Sequence, residues 1–146
     1  MKKKRITMSV IGMQEGEPTF QLICQAYLTQ TAGGLKLHWD QPLEGEEGHD
    51  AVTLSVSEDS LMMQRHGQME MTLVFRPKTR YEGLISTPAG IMDVAVFPTY
   101  IHTDAQAEHG HISLRYQLEL DRQLTGIHSL EVKYIADNHA AGRAQA

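Results

Sequence analysis

From Phe20 onward the chain alternates: Phe20, Leu22, Cys24, Ala26 and Leu28 fall on one side of an extended backbone, and Gln21, Ile23, Gln25, Tyr27 and Thr29 on the other. Successive side chains of a strand point to opposite faces, so a period of two predicts a strand with one dry and one wet face. The pattern returns in Leu35/Leu37/Trp39, in Val52/Leu54/Val56 and in Met69/Met71/Leu73/Phe75. Near the end it recurs twice, in Ile112/Leu114/Tyr116/Leu118/Leu120 and in His128/Leu130/Val132/Tyr134/Ala136. Strands of parallel sheets are covered on both faces and read as continuous apolar runs, so this alternation predicts antiparallel pairing. Turn signals, among them Gly16-Glu17-Pro18, Pro77-Lys78, Pro88-Ala89-Gly90 and Gly126, punctuate the strands at sandwich or barrel spacing. They divide the chain into about eight to ten strands. Gly33-Gly34 is the best two-residue hairpin turn, since primed turns need positive φ.

Two charged residues fall out of pattern. A two-residue loop at His66-Gly67 would set Leu61 and Met63 opposite Thr72 and Glu70, whereas a three-residue loop sets them opposite the Met69/Met71/Leu73 row. Burial favours the longer loop, which carries Arg65 onto the apolar row or to its end. Asp93 shares its row with Ile91, Ala95 and Phe97, an apolar row. An isolated buried charge is very costly, so each needs a partner or water, and Asp93 is the first choice of partner for Arg65.

The 146 residues suit one domain, expected over residues 1–136 with a flexible tail at 137–146 where Ala and Gly dominate. Hydrophobic content of 41% and charged content of 21% exclude disordered, collagen-like and coiled-coil chains. A net charge of -5 disfavours nucleic acid, because phosphate binding is driven by Lys and Arg. No apolar run approaches the roughly 20 residues of a membrane-spanning helix, and the basic start Lys2 to Arg5 precedes no continuous apolar segment of a secretion signal. That basic run suits an edge strand protected against pairing with another sheet. With Cys24 as the single cysteine, no internal disulfide forms and a cytoplasmic location is expected.

Reactive motifs of sharp spacing (GxSxG, HExxH, GxxxxGK[ST], GxGxxG) are absent from the sequence, so an enzyme is disfavoured and no cofactor is expected. Cys24, between Leu22 and Ala26, is placed as a small hydrophobe. His109-Gly110-His111 has the i, i+2 spacing that aims two imidazoles at one strand face, with Glu108, His102 and Asp104 nearby, yet a solvated turn explains it better and no metal is expected. The acidic cluster Glu44, Glu46, Glu47 and Asp50 lacks the strict spacing of a calcium loop and reads as a solvated loop. Met62, Met63, Met69 and Met71 in one hairpin supply soft apolar lining.

Residues 61–120 carry a resemblance. Leu61-Met62-Met63-Gln64-Arg65-His66-Gly67, Leu73-Val74-Phe75, the stretch Tyr81 to Gly90 ending Thr87-Pro88-Ala89-Gly90, and Gly110-His111-Ile112-Ser113-Leu114-Arg115-Tyr116-Gln117-Leu118 resemble the YwiB-like family of bacterial proteins of unknown function. The resemblance extends from about Asp50 to Tyr134. It implies an all-β fold, a closed antiparallel β-barrel of about eight to ten strands of the calycin, lipocalin-like type, and no activity. Lipocalins open with Gly-x-Trp, whereas Trp39 follows Leu37-His38, so lipocalin-type binding is fold-level analogy.

A barrel of this size is filled by side chains or holds one small ligand. The leading expectation is non-enzymatic binding of a small, partly apolar ligand, anionic in one version, with Arg65, Tyr81, Asp93 and Tyr116 as the polar groups near a mouth. The alternative is a filled barrel that acts as a protein-interaction or dimerisation module, which leaves a homodimer open. A metal-dependent hydrolase centred on the histidines is the weakest alternative.

Overall fold

Each alternating segment becomes a strand, because only an extended backbone places every second side chain on one face. In the computed structural model, which describes residues 3–45 and 47–137, there are ten strands: β1 (Lys3–Gln14), β2 (Glu17–Thr31), β3 (Gly34–Pro42), β4 (His49–Ser57), β5 (Leu61–His66), β6 (Glu70–Phe75), β7 (Tyr81–Thr87), β8 (Gly90–Ala105), β9 (His109–Leu120) and β10 (Gln123–Ala136). Neighbours in sequence pair antiparallel, and β1 pairs with β10, so the sheet closes into a barrel. A sheet with one apolar face hides that face by curling round it, and closure removes the outer edges.

The dry rows meet inside. Ile6, Met8 and Val10 of β1, Leu35, Leu37 and Trp39 of β3, Val52, Leu54 and Val56 of β4, Ile112 and Leu114 of β9, and Leu130, Val132 and Tyr134 of β10 form one core. Side chains fill the end that carries the β2–β3 and β4–β5 turns, where Ile6, Leu28, Leu37, Leu54 and Leu61 are fully buried.

Three expectations are corrected. The two-residue hairpin loop is Ala32-Gly33, with Thr31 opposite Gly34, one residue earlier than the glycine pair suggested. In β8 the inward row is Met92, Val94, Val96 and Pro98, whereas Ile91 is 70% exposed and Asp93 and Phe97 also face outward. Both rows of this strand are rich in apolar residues, so alternation could not orient it, and a bulge between Pro98 and Tyr100 then brings Ile101 inward. The basic start leads into no edge strand, since β1 is paired with both β2 and β10 from Ile6 onward, and only Lys3 to Arg5 pair with β2 alone. Instead Lys3 sits over the Tyr27 ring, Lys4 reaches Glu108 and the Ala107 carbonyl, and Arg5 donates to Gln25. The tail expected at 137–146 lies, from residue 138 on, outside the described residues.

The wall has two thin places. β6 and β7 pair only at Glu70–Ser86 and Met71–Ile85. β2 and β3 pair only from Tyr27 to Thr31, so from Glu17 to Ala26 β2 is paired with β1 alone. The barrel therefore opens between the first half of β2 and the second half of β3.

Candidate functional site

The β5–β6 loop comprises Gly67, Gln68 and Met69, three residues, with Leu61 opposite Phe75, Met63 opposite Leu73 and Arg65 opposite Met71. This is the register that burial demanded, and it brings Arg65 onto the inward row with a side chain 24% exposed. Its partner is not Asp93, which lies on the outer face of β8 half-exposed, with its carboxylate 3.9 Å from the Arg122 guanidinium. The partner is Asp50, at the head of the inward row Asp50/Val52/Leu54/Val56 of β4, its side chain fully buried.

Asp50 organises its surroundings. Arg65 Nε donates to Oδ2 at 2.7 Å, the Gln68 N–H donates to Oδ1 at 2.7 Å, and the Met69 N–H donates to Oδ2 at 3.2 Å. Burial alone would raise this carboxyl, but the Arg65 bond and the two backbone N–H groups hold it below the ordinary carboxylate range. Gly67 has φ of 145°, and a Cβ there would stand 2.2 Å from Asp50 Oδ1, so glycine is required for the loop to fold over the carboxylate. The acidic residue that looked like part of a solvated loop is thus the anchor of the Arg65 side chain and of the loop beside it.

Above this pair the barrel is hollow. A cavity of about 490 Å³ is walled by apolar side chains that include Trp39, Met63, Met71, Phe75, Ile85 and Leu118, and Arg65 and Tyr116 also face it. It opens past Thr19 and Phe20 of β2 and Gln41, Pro42 and Glu44 at the end of β3, the gap left where those strands part. Phe20 can lie at this mouth because its pairing partner is Gly12, where a Cβ would stand 2.3 Å from the ring.

Tyr116 packs against Phe75 at 5.0 Å between ring centroids and stacks on His128 at 5.7 Å. Burial pushes its phenol up to about 12, so it stays protonated at neutral pH. Among the described residues neither the Tyr116 hydroxyl nor the two terminal nitrogens of Arg65 has a hydrogen-bond partner. Behind Tyr116, the Thr125 hydroxyl donates to the Leu118 carbonyl and so accepts from His128 Nε2–H, at 2.9 Å each. Tyr81 lies on the inward row of β7, opposite Val96 and over Gly83, and borders not this cavity but the groove at the thin β6–β7 seam, which Arg65 and Met71 also line. Arg65 and Tyr116 are thus brought to one cavity, and Tyr81 and Asp93 are not.

The histidine cluster is committed elsewhere. His111 Nε2 lies 2.7 Å from Glu131 Oε1, the Ser113 hydroxyl donates to the other oxygen of Glu131, and His102 packs edge-on against His111. Both His111 and Ser113 spend their bonds on the carboxylate, so serine and histidine are not arranged as nucleophile and base. Among the described residues no group of three or more His, Cys, Asp or Glu side chains is placed to hold a metal. Burial raises the Cys24 thiol, and the nearby Asp40 charge adds to the effect, the opposite of an activated thiolate.

The molecule is therefore a closed ten-stranded antiparallel barrel, filled at one end and hollow at the other, with an anchored arginine in the hollow end. Residues 5–132 match the family described as Domain of unknown function (DUF1934), and the chain belongs to that family. The fold is similar to that of the ywiB protein from Bacillus subtilis, known from its crystal structure, with a TM-score of 0.77 over 92% of each chain at 16% sequence identity. No curated protein matches the chain. The resemblance carried by residues 61–120 thus leads to the same family and the same fold.

Proposed function

We propose that the barrel is a non-enzymatic binding protein of the cytoplasm that takes one small, largely apolar molecule into its hollow end. The acceptor or anionic end of that molecule meets Arg65 and Tyr116. One observation carries this: the Tyr116 hydroxyl and the terminal nitrogens of an anchored, partly buried guanidinium face an apolar cavity without protein partners. Polar groups in largely apolar surroundings are as a rule hydrogen-bonded, and these two, open to the cavity, mark where a ligand atom or water belongs. The volume lies within the roughly 300–1,000 Å³ of small-molecule sites, and a few convergent polar groups in an apolar cavity are what such sites present. Asp50 matters to the choice of ligand, because it already balances the Arg65 charge. A singly charged or neutral acceptor fits this pair better than a doubly charged phosphate, which would meet a site without net positive charge.

Native mass spectrometry of freshly purified protein should show a bound small molecule that unfolding releases. Arg65→Met and Tyr116→Phe should each weaken the hold on it. Protein that carries nothing and does not take up a fluorescent apolar carboxylate would rule the proposal out.

A further inference from the structure

The free edge of β2 presents a second, independent feature. Strands that end a sheet offer unpaired backbone N–H and C=O groups, and proteins blunt such edges with charges, prolines, bulges or short length. Closure spares most strands of this barrel such edges, but ladders are missing beside β6, β7 and the second half of β8, and β2 pairs with β1 alone from Glu17 to Ala26. Pro18 blunts only the start of that stretch. From Thr19 to Ala26 it carries no charged side chain, and Ile23 is 71% exposed.

We infer that β2 pairs antiparallel with β2 of a second copy of this chain, about a two-fold axis at Ile23. An isologous contact requires a surface that complements itself. Pairing about Ile23 puts residue n opposite residue 46 − n: Ile23 meets Ile23, Gln21 meets Gln25, and Leu22 meets Cys24. No charge meets a like charge. Two exposed isoleucines become cross-strand neighbours on the outer face, and glutamines can exchange amide hydrogen bonds on either side. Arg5 donates to Gln25 Oε1, which holds that amide in place and leaves its NH₂ group to donate to the Gln21 carbonyl of the other copy. Thr19 and Phe20, which border the mouth of the cavity, lie on the same stretch, so the second copy would stand beside each opening. A contact of this length sits at the small end of specific interfaces, so dimer should form reversibly with concentration.

Sedimentation velocity over a concentration series should show the 16.4 kDa chain passing to twice that mass. Ile23→Lys, which sets two ammonium groups across the axis, should keep the protein monomeric while its circular dichroism and melting temperature stay those of the parent, because the side chain is exposed. Ile23→Cys combined with Cys24→Ser should give a covalent dimer under mild oxidation, since directly opposed strand residues lie within disulfide reach. Gln25→Cys combined with Cys24→Ser should not, because position 25 faces position 21. A monomer at every concentration, a dimer that survives Ile23→Lys, or equal cross-linking at 23 and 25 would each overturn the assignment, whatever the cavity binds.

Discussion

Replacing Arg65 by Met removes the guanidinium and keeps much of the apolar stem, which isolates the buried charge of Asp50. That carboxylate is fully buried and has three donors: Arg65 Nε and the N–H groups of Gln68 and Met69. Removing one partner of a buried ion pair costs roughly 3–5 kcal/mol. The two backbone donors remain, and hydrogen bonds to a charged group are worth roughly 1.5–3 kcal/mol each, so the loss should fall at the lower end, about 3 kcal/mol at neutral pH. Asp50→Asn should cost less in the Arg65→Met background than in the parent, a coupling on the order of 1–3 kcal/mol that a double-mutant cycle reads directly. The pH dependence has a fixed sign. The folded-state pKa of Asp50 is depressed, so its stabilising contribution is present above the ordinary 3.8 and is lost as pH falls through the folded value. A protonated Asp50 no longer needs the cation, so the deficit of Arg65→Met should shrink on acidification. Urea unfolding followed by the fluorescence of Trp39, the single tryptophan, measures all of this. Parent-like stability of Arg65→Met at neutral pH, or a deficit that grows in acid, would refute the account of Asp50 as the anchor.

Leu114 is 1% exposed on the inward row of β9, and Leu114→Ala should cost on the order of 2–5 kcal/mol in the same assay; a loss below about 1 kcal/mol would mean that the row is not core. Burial holds the His128 imidazole below its ordinary 6.5, an effect that the nearby Glu15 charge opposes. A neutral folded histidine stabilises above 6.5 and loses that contribution as pH falls below it, so His128→Gln should flatten the decline of stability between neutral and mildly acidic pH. An unchanged slope would place the acid sensitivity elsewhere.

How much of this was written in the sequence depends on the strand. In β5 and β6 the polar and apolar rows are clean, and one decision about loop length oriented Arg65 correctly. In β8 both rows are mostly apolar, because Ala95 on the outer face is buried although the row it shares with Ile91 and Phe97 points outward. Alternation has no contrast there and places Asp93 on the wrong face. Asp50 was hidden by its company: Glu44, Glu46 and Glu47 precede it, and composition alone made a solvated loop of all four. Counting back in twos from Val56 through Leu54 and Val52 reaches Asp50, and that row carried the missing partner. The opening between β2 and β3 had no local signal, since Phe20, Leu22 and Cys24 alternate as regularly as any paired strand.

Closure by β1 on β10 also dictates how the chain reaches this state. Ile6 lies opposite Ala136, so the ladder that closes the barrel joins residues far apart in the sequence. Until β10 has been synthesised, β1 lacks its second partner, and long-range pairings of this kind place folding in the slow, millisecond-to-second regime. The same adjacency makes the order of the strands a matter of connection rather than of structure. If residues near the two ends were joined by a short linker and the chain were cut at the Ala32-Gly33 turn, every ladder would survive. The hairpin of β1 and β2 would then be made last, and closure would pass to the seam between β2 and β3.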